Sequence, residues 1–203
     1  MTSTRLMALA LTLGACASTP DTEPADPTDT GAAPGDEEEE GYRFIEDAAD
    51  GASVVAVEAE RYLGVWYEIA STPSPQQSMC TGTSAEYSLR DDGDVRVINR
   101  CYLDSLDGEL NEIEGSARFV DDSGARLMVD FGFGFEAPYN IVDLDGASGD
   151  QPYGFAVVSS PGFALWILAR DPQVDPELYT LLVDRAMERG LPADELIETL
   201  QPE

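Results

Sequence analysis

The chemically reactive side chains of this 203-residue sequence are three cysteines and a large excess of carboxylates. There are 40 acidic and 11 basic residues, and every basic residue is an arginine because lysine and histidine are absent. Without these two residue types the chain has no imidazole-activated nucleophile, no histidine metal site and no Schiff base. The net charge of −29 makes nucleic acid and anionic membranes poor partners, because phosphate groups bind basic patches. The sequence therefore predicts a protein that is not an enzyme and that uses no metal and no cofactor.

Cys16 follows an N-terminal export signal. Residues 1–15 carry one early positive charge, Arg5, and then an apolar stretch that is too short to span a bilayer. The ending L-G-A-C resembles the lipobox of bacterial lipoproteins, although an ordinary signal peptide followed by an unrelated cysteine is the alternative. The resemblance implies that Cys16 is acylated, and Ala17 implies sorting to the outer membrane. Two or more acyl chains would hold the protein there durably, and we expect it to face the periplasm.

The segment after Cys16 is polar and acidic. Proline, threonine, alanine, glycine, aspartate and glutamate dominate up to residue 50, and residues 36–40 form an unbroken acidic run. Few apolar residues recur with any period, so a disordered, self-repelling tether is predicted. The predicted organisation is a signal peptide at 1–15, an acylated cysteine and tether at 16–50, and one folded domain at 51–203.

Cys80 and Cys101 are the two cysteines that remain after acylation of Cys16. In an oxidising compartment an even pair predicts a disulfide bond. Simple pairing across the D-D-G-D turn at 91–94 places Cys80 opposite a residue beyond Cys101 and on the other face of the sheet. A bulge near Gly82 would correct both mismatches, and we expect the bond to form.

The rest of the chain reads as a series of short alternating strands separated by turns. Strands are predicted at 64–70, 83–90, 95–99, 113–120, 127–131, 139–144, 155–159 and 163–170. Eight strands at this spacing predict an all-β, up-and-down antiparallel β-barrel, with a sandwich as the alternative. A helix is predicted after them, because Asp175-Pro176 forms a capped start, apolar residues follow at helical spacing, and Gly190 ends it. We expect this helix to cover the outside of the sheet, and a short turn or strand at 196–200 to follow it.

The segment 61–70, R-Y-L-G-V-W-Y-E-I-A, resembles the first signature of the lipocalin family. The likeness is specifically to the bacterial outer-membrane lipoprotein lipocalins, a group that includes apolipoprotein D-like proteins. It extends to A-E-Y-S-L-R-D-D-G-D-V-R-V-I-N-R, Y-N-I-V-D-L-D and L-W-I-L-A-R-D-P, and covers residues 60–201. It implies an eight-stranded lipocalin calyx with one C-terminal α-helix packed outside. It also implies that one end is closed by Gly64 and Trp66 with Arg170 in a cation–π contact, while the other end is open.

Strand alternation then predicts the wall of the barrel. If Trp66 faces inward, so do Glu68 and Ala70, and Leu89, Val95 and Leu168 do so on other strands. A buried Glu68 is expected to pair with Arg100, Arg118 or Arg170, or to remain protonated. Binding is expected at the end opposite Trp66, near Tyr87, Asn99, Phe131 and Phe133, with Phe133 and Phe135 at the rim. The predicted ligand-binding residues are Ala85, Tyr87, Val97, Asn99, Ala117, Phe119, Leu127, Val129, Phe131, Phe133, Tyr139, Ile141 and Trp166.

An apolar wall with a few hydroxyl and amide groups suits a lipid chain with a polar head. The family resemblance therefore implies an anchored lipocalin that binds or carries a fatty acid or lysophospholipid in the cell envelope. One alternative is a structural or partner-binding lipoprotein with a filled barrel, and another is a lipid- or isoprenoid-modifying enzyme. The predicted partners are a hydrophobic small molecule and, through acylated Cys16, a membrane. The oligomeric state stays open, with a homodimer among the possibilities.

Overall fold

The structure, a computed structural model, describes residues 41–203. The signal peptide, Cys16 and the tether up to residue 40 lie outside the described residues. Residues 41–203 form nine β-strands, two α-helices and two short 3-10 turns. The strands are β1 Gly64–Ser71, β2 Cys80–Leu89, β3 Val95–Leu103, β4 Leu110–Phe119, β5 Arg126–Asp130, β6 Ala137–Leu144, β7 Phe155–Ser160, β8 Ala164–Ala169 and β9 Ile197–Glu198. The helices are α1 Ala59–Tyr62 and α2 Pro176–Glu188, and the 3-10 turns are Pro75–Gln77 and Ala193–Glu195.

The sheet closes on itself as an antiparallel barrel. Strands β2 to β8 pair with their neighbours in chain order, and β1 pairs with β8 on one side and with β2 on the other. The short strand β9 adds to the far end of β1. The predicted fold class, an eight-stranded up-and-down barrel with one main C-terminal helix, is therefore confirmed.

The two ends of the barrel are built from different loops. The β2–β3, β4–β5 and β6–β7 turns lie at the end where α1 packs, which we call the closed end. The β1–β2, β3–β4, β5–β6 and β7–β8 loops lie at the other end, which we call the open end.

Helix α2 explains why several strands are apolar on both faces. Its first turn is capped by Asp175, whose Oδ1 accepts a hydrogen bond of 2.8 Å from the amide of Glu177. Its buried residues Leu178, Leu182 and Ala186 belong to an outer core with the outward residues of β7 and β8. The barrel therefore has an inner core in its lumen and an outer core under the helix.

Segment 44–50, which the sequence analysis assigns to the tether, contacts the barrel. Phe44 bridges to Asp145, and its ring lies 5.3 Å from that of Phe155. Asp47 forms an isolated β-bridge with Val54, and its carboxylate forms an ion pair with Arg189 at 2.7 Å. These contacts place the beginning of the folded part before residue 51.

The Cys80–Cys101 disulfide is present, with 5.3 Å between the two Cα atoms. The β2–β3 pairing is irregular between Thr81 and Ser84, where Gly82 has a φ of 57°. The predicted bond and the predicted bulge are both confirmed. Among residues 41–203, no helix is both long enough and apolar enough to cross a bilayer.

Candidate ligand-binding site

The closed end of the barrel is organised around Trp66 and Arg170. Trp66 is fully buried and donates its indole N–H to the carbonyl of Tyr62 at 2.8 Å. The guanidinium carbon of Arg170 lies 3.9 Å from the centre of the Trp66 ring, which is the expected cation–π contact. Gly64 has a φ of 98°, and a Cβ there would lie 3.3 Å from Arg170 Nη1, so glycine suits this position.

Arg170 also donates hydrogen bonds to several backbone carbonyl groups at this end. Its N–H groups donate to five carbonyl oxygens at 2.7–3.1 Å, those of Arg61, Tyr62, Leu63, Val65 and Tyr153. Burial lowers the pKa of the guanidinium from its ordinary value. Several of these carbonyls come from the end of α1, where helix oxygens lack partners within the helix. Arg170 therefore ties α1 to the barrel as a floor.

Three tyrosines lie above this floor and link their hydroxyls. The Tyr139 hydroxyl is 2.8 Å from that of Tyr62 and 2.9 Å from that of Tyr87. Burial raises the pKa of Tyr87 to about 12 and raises the pKa values of Tyr62 and Tyr139 well above the ordinary range. All three hydroxyls are therefore neutral at physiological pH and act as a hydrogen-bonded layer.

The position of Tyr87 corrects one expectation. The sequence analysis places it at the end opposite Trp66, but Tyr87 pairs with Gly64, and its ring centre lies 5.7 Å from that of Tyr62. The pairing of β1 with β2 starts at the closed end, so the last inward residues of β2 belong to the floor. The open half of the lumen begins one inward position further along β2, at Ala85.

The inward side chains become more accessible toward the open end. On β4, β5, β6 and β8 a buried inward residue is followed, toward the open end, by two partly exposed ones. On β2 and β3 one partly exposed inward residue follows the buried one, and Cys101, the next inward residue of β3, is only 4% exposed. The buried set is Tyr87, Val97, Ala117, Leu127, Ile141 and Leu168. The partly exposed set is Ala85, Asn99, Ile113, Gly115, Val129, Phe131, Ala137, Tyr139, Ala164 and Trp166. Most partly exposed inward residues therefore lie toward the open end of β4, β5, β6 and β8.

The closed half is almost filled. A small apolar cavity of about 30 Å³ lies between α1 and strands β2 to β6. Among its lining residues are Leu63, Phe119, Val129 and Tyr139. This space is about that of one or two water molecules, and an apolar lining disfavours water. The predicted ligand-binding residues that line this closed-half cavity are Tyr87, Ala117, Phe119, Leu127, Val129 and Tyr139.

Polar atoms without protein partners occur in the open half. Within residues 41–203, Asn99 Oδ1 and Ser160 Oγ are buried and have no hydrogen-bond partner. Asn99 lies two residues after Val97 on β3, and Ser160 lies two residues after Val158 on β7. Residues two apart on a strand share a face, and Val97 and Val158 belong to the inner core, so both polar side chains are on the inward face. Buried polar atoms require partners, so these two atoms can bind the polar part of a ligand or water. The sequence analysis missed Ser160 because it did not assign an inward face to β7, although the alternation carries that signal.

Glu68 is buried but does not pair with an arginine, so the expected arginine partner is wrong, while the alternative of a protonated Glu68 stays a prediction. Its carboxylate accepts hydrogen bonds from Ser71 Oγ at 3.0 Å, Gln77 Nε2 at 3.1 Å and Thr199 Oγ1 at 2.7 Å. The candidate arginines are engaged elsewhere. Arg100 pairs with Glu86 and Glu112, Arg118 pairs with Glu136, and Arg170 lies at the floor.

Ala70 also differs from the prediction, because it belongs to the outer core with α2. The pairing of β1 with β8 is irregular between Glu68 and Ala70, and this irregularity ends the alternation that began at Trp66. Phe133 lies at the rim with 64% of its surface exposed. Within residues 41–203, no cluster of Cys, Asp and Glu side chains is arranged to hold a metal ion.

A closed antiparallel barrel with an outer helix and an arginine-bound floor defines a calyx-type β-barrel. The chain belongs to the lipocalin family, since the lipocalin-like domain matches residues 57–201. It is 38% identical over 148 residues to the outer membrane lipoprotein Blc of Citrobacter freundii, which covers 71% of this chain and 80% of that protein. It is 32% identical over 154 residues to apolipoprotein D of Mus musculus, with 71% and 77% covered. Insecticyanin from the tobacco hornworm Manduca sexta has a similar fold, with a TM-score of 0.59 at 18% identity over 80% of this chain and 91% of that one.

Proposed function

We propose that this lipocalin binds one small hydrophobic ligand with a polar head, a fatty acid or a lysophospholipid, in the open half of its barrel. The observation that carries this proposal is the change from buried to partly exposed inward residues along β4, β5, β6 and β8. An eight-stranded barrel has room for one such ligand. The mixed wall of Ala85, Phe131 and Trp166 suits an acyl chain.

The two unpaired polar atoms support an amphipathic ligand over a pure hydrocarbon. Asn99 Oδ1 accepts a hydrogen bond, and the Ser160 hydroxyl both donates and accepts. A carboxyl, hydroxyl or phosphoryl group near the open end would bind these atoms. The acyl chain would then lie against the apolar wall above the tyrosine layer.

We further propose that the protein is anchored to the outer membrane through acylated Cys16 and faces the periplasm. Two observations support this proposal. The L-G-A-C sequence resembles a lipobox, and several relatives are named outer membrane lipoprotein Blc. The role we propose is binding or carriage in the cell envelope without catalysis.

A titration with a fluorescent fatty acid tests the ligand proposal. Saturable binding of one ligand per chain is expected, and Ala85→Trp should weaken it at least about tenfold, because the indole would fill the lumen. Ser88→Trp is the matched control, since residue 88 is on the same strand but on the outward face, and it should bind like the native chain. Circular dichroism of both variants checks that the barrel is folded. Equal binding by Ala85→Trp and Ser88→Trp would refute the site.

A filled barrel with a structural or partner-binding role is the second candidate. The small size of the closed-end cavity, about 30 Å³, favours it, because little space is left beside the floor. The same titration separates the two candidates. Absence of saturable binding by the native chain, with the fold intact, would support the filled barrel.

A further inference from the structure

Three phenylalanines at the open end are exposed together, and we call them the rim patch: Phe133, Phe135 and Phe163. They expose 64%, 53% and 51% of their surfaces. Phe133 and Phe135 belong to the β5–β6 loop and Phe163 to the β7–β8 loop, and β5 to β8 are consecutive in the sheet. The rings of Phe133 and Phe135 stack at 6.4 Å, and those of Phe135 and Phe163 at 5.7 Å. Contiguous exposed apolar surface of this kind marks an interaction site.

We propose that the rim patch inserts into the surface of a zwitterionic lipid leaflet and brings the mouth of the barrel against it. The patch lies on the same end as the accessible lumen, so a lipid leaving the leaflet would enter the barrel with little exposure to water. The idea of lipid transfer rests on the proposed ligand, but contact between the patch and a leaflet does not.

The surrounding charges select the kind of lipid. Asp130 and Glu136 flank the β5–β6 loop. Arg118, on the neighbouring strand β4, is already paired with Glu136 at 2.8 Å. With a net charge of −29, the protein is repelled by an anionic surface. A zwitterionic headgroup carries no net charge and presents a cation to these carboxylates.

The size of the patch argues against a second protein chain as its occupant. Three half-exposed aromatic rings offer on the order of 300 Å² of apolar surface. A stable protein interface buries about 800 Å² on each partner. Phenylalanine side chains at loop tips can instead bury singly at the boundary between headgroups and acyl chains, where their apolar rings leave water.

Vesicle flotation tests the proposal, using the full chain with Cys16→Ser so that no acyl anchor contributes. Phosphatidylcholine vesicles should carry this parent protein, and Phe135→Ser with Phe163→Ser should reduce its partition at least about tenfold. Leu89→Ser with Val120→Ser is the matched control, because these residues are 54% and 52% exposed at the closed end. The control should float like the parent, and added phosphatidylglycerol should weaken all binding.

Three outcomes would overturn the proposal. The first is that the parent does not float with phosphatidylcholine vesicles. The second is that the patch variant floats as well as the parent. The third is that the parent self-associates in sedimentation through a contact that the patch variant loses. Fatty-acid titration in solution keeps the two proposals apart, since the patch variant should bind the fluorescent acid like the parent. A parent protein that binds the fluorescent acid but does not float refutes only the membrane contact. A parent protein that floats but does not bind the acid refutes only the ligand.

Discussion

At the scale of single residues, Arg170 shows why the floor needs a guanidinium. It places its plane over Trp66 and donates to five carbonyl oxygens that come from α1, β1 and the β6–β7 turn. A lysine has three donors on one atom and cannot span this set. One side chain therefore joins three separate pieces of backbone at the closed end.

The tyrosine layer predicts an alkaline weakness. Burial raises the pKa of Tyr87 to about 12, and those of Tyr62 and Tyr139 are raised as well, whereas an unfolded tyrosine has a pKa of about 10. A raised folded pKa means that the stabilisation is fully present below pH about 10 and is lost as pH rises through the folded values. Tyr139→Phe should cost about 1–3 kcal/mol at pH 7 by leaving two hydroxyls unpaired.

Urea unfolding at pH 7, 9 and 11 measures both effects. The free energy of unfolding of the native chain should fall above pH 10, and it should fall less steeply in Tyr139→Phe. Tyr102→Phe on the outward face of β3 serves as the control and should change stability by less than about 0.5 kcal/mol. A native chain whose stability stays constant to pH 12 would contradict the assignment of buried neutral hydroxyls.

Alternation along strands identified most inward residues before the structure was known. Val97, Ala117 and Trp166 are inward as predicted, because no irregularity interrupts their faces, and Ile141 is inward because the irregularity of β6 begins after it. Alternation predicts the wrong face for Ala70, because the irregular pairing of β1 with β8 before it cannot be recognised from the residue types. The partners of Glu68 were equally unpredictable, since Thr199 is distant in sequence.

At the scale of elements, α2 is held by a polar contact as well as by its apolar stripe. Asp143 on β6 is fully buried, and its carboxylate accepts bonds of 2.7 Å from Arg185 and 2.9 Å from Arg189. The pairing of β6 with β7 is irregular between Ile141 and Asp143, which lets Asp143 turn toward the helix. This contact fixes the position of α2 along the barrel surface.

Asp143→Ala should therefore loosen α2. Removing the buried carboxylate leaves Arg185 without its ion-pair partner, while Arg189 keeps Asp47, and costs about 3–5 kcal/mol. Hydrogen exchange of the α2 amides should accelerate more than that of the barrel strands. Asp47→Ala is a suitable control, because Asp47 binds Arg189 at 2.7 Å with half its side chain exposed, and it should cost less than about 1 kcal/mol. Equal exchange in the two variants would show that apolar packing alone holds the helix.

The strand order was predictable because hairpin turns and period-two runs are local signals. Predicted strands fall within one to three residues of most observed bounds, and the helix start at Asp175 carries its own cap. Helix α1 was not predicted, because four residues are too few to show helical periodicity. Segment 44–50 was assigned to the tether by its composition, because two of its contacts to the barrel, Phe44 with Asp145 and Asp47 with Arg189, join residues far apart in sequence.

At the scale of the whole molecule, closure of the barrel is a long-range property. β1 must pair with both β2 and β8, and neither pairing is written in local alternation. The family resemblance supplied this part of the prediction. The level at which the lumen opens was not available from sequence, because alternation separates inward from outward residues but does not measure depth.

The charge of the whole chain makes the proposed anchor testable with one substitution. A net charge of −29 gives no electrostatic attraction to an anionic leaflet, and the rim patch is a small, reversible contact. Stable retention then depends on acyl chains, since two chains hold a protein where one does not. Cys16→Ser should therefore move the protein from the washed membrane fraction to the soluble periplasmic fraction. The same substitution combined with Phe135→Ser and Phe163→Ser controls for the rim patch, and recovery of that combined variant with washed membranes would contradict acylation at Cys16.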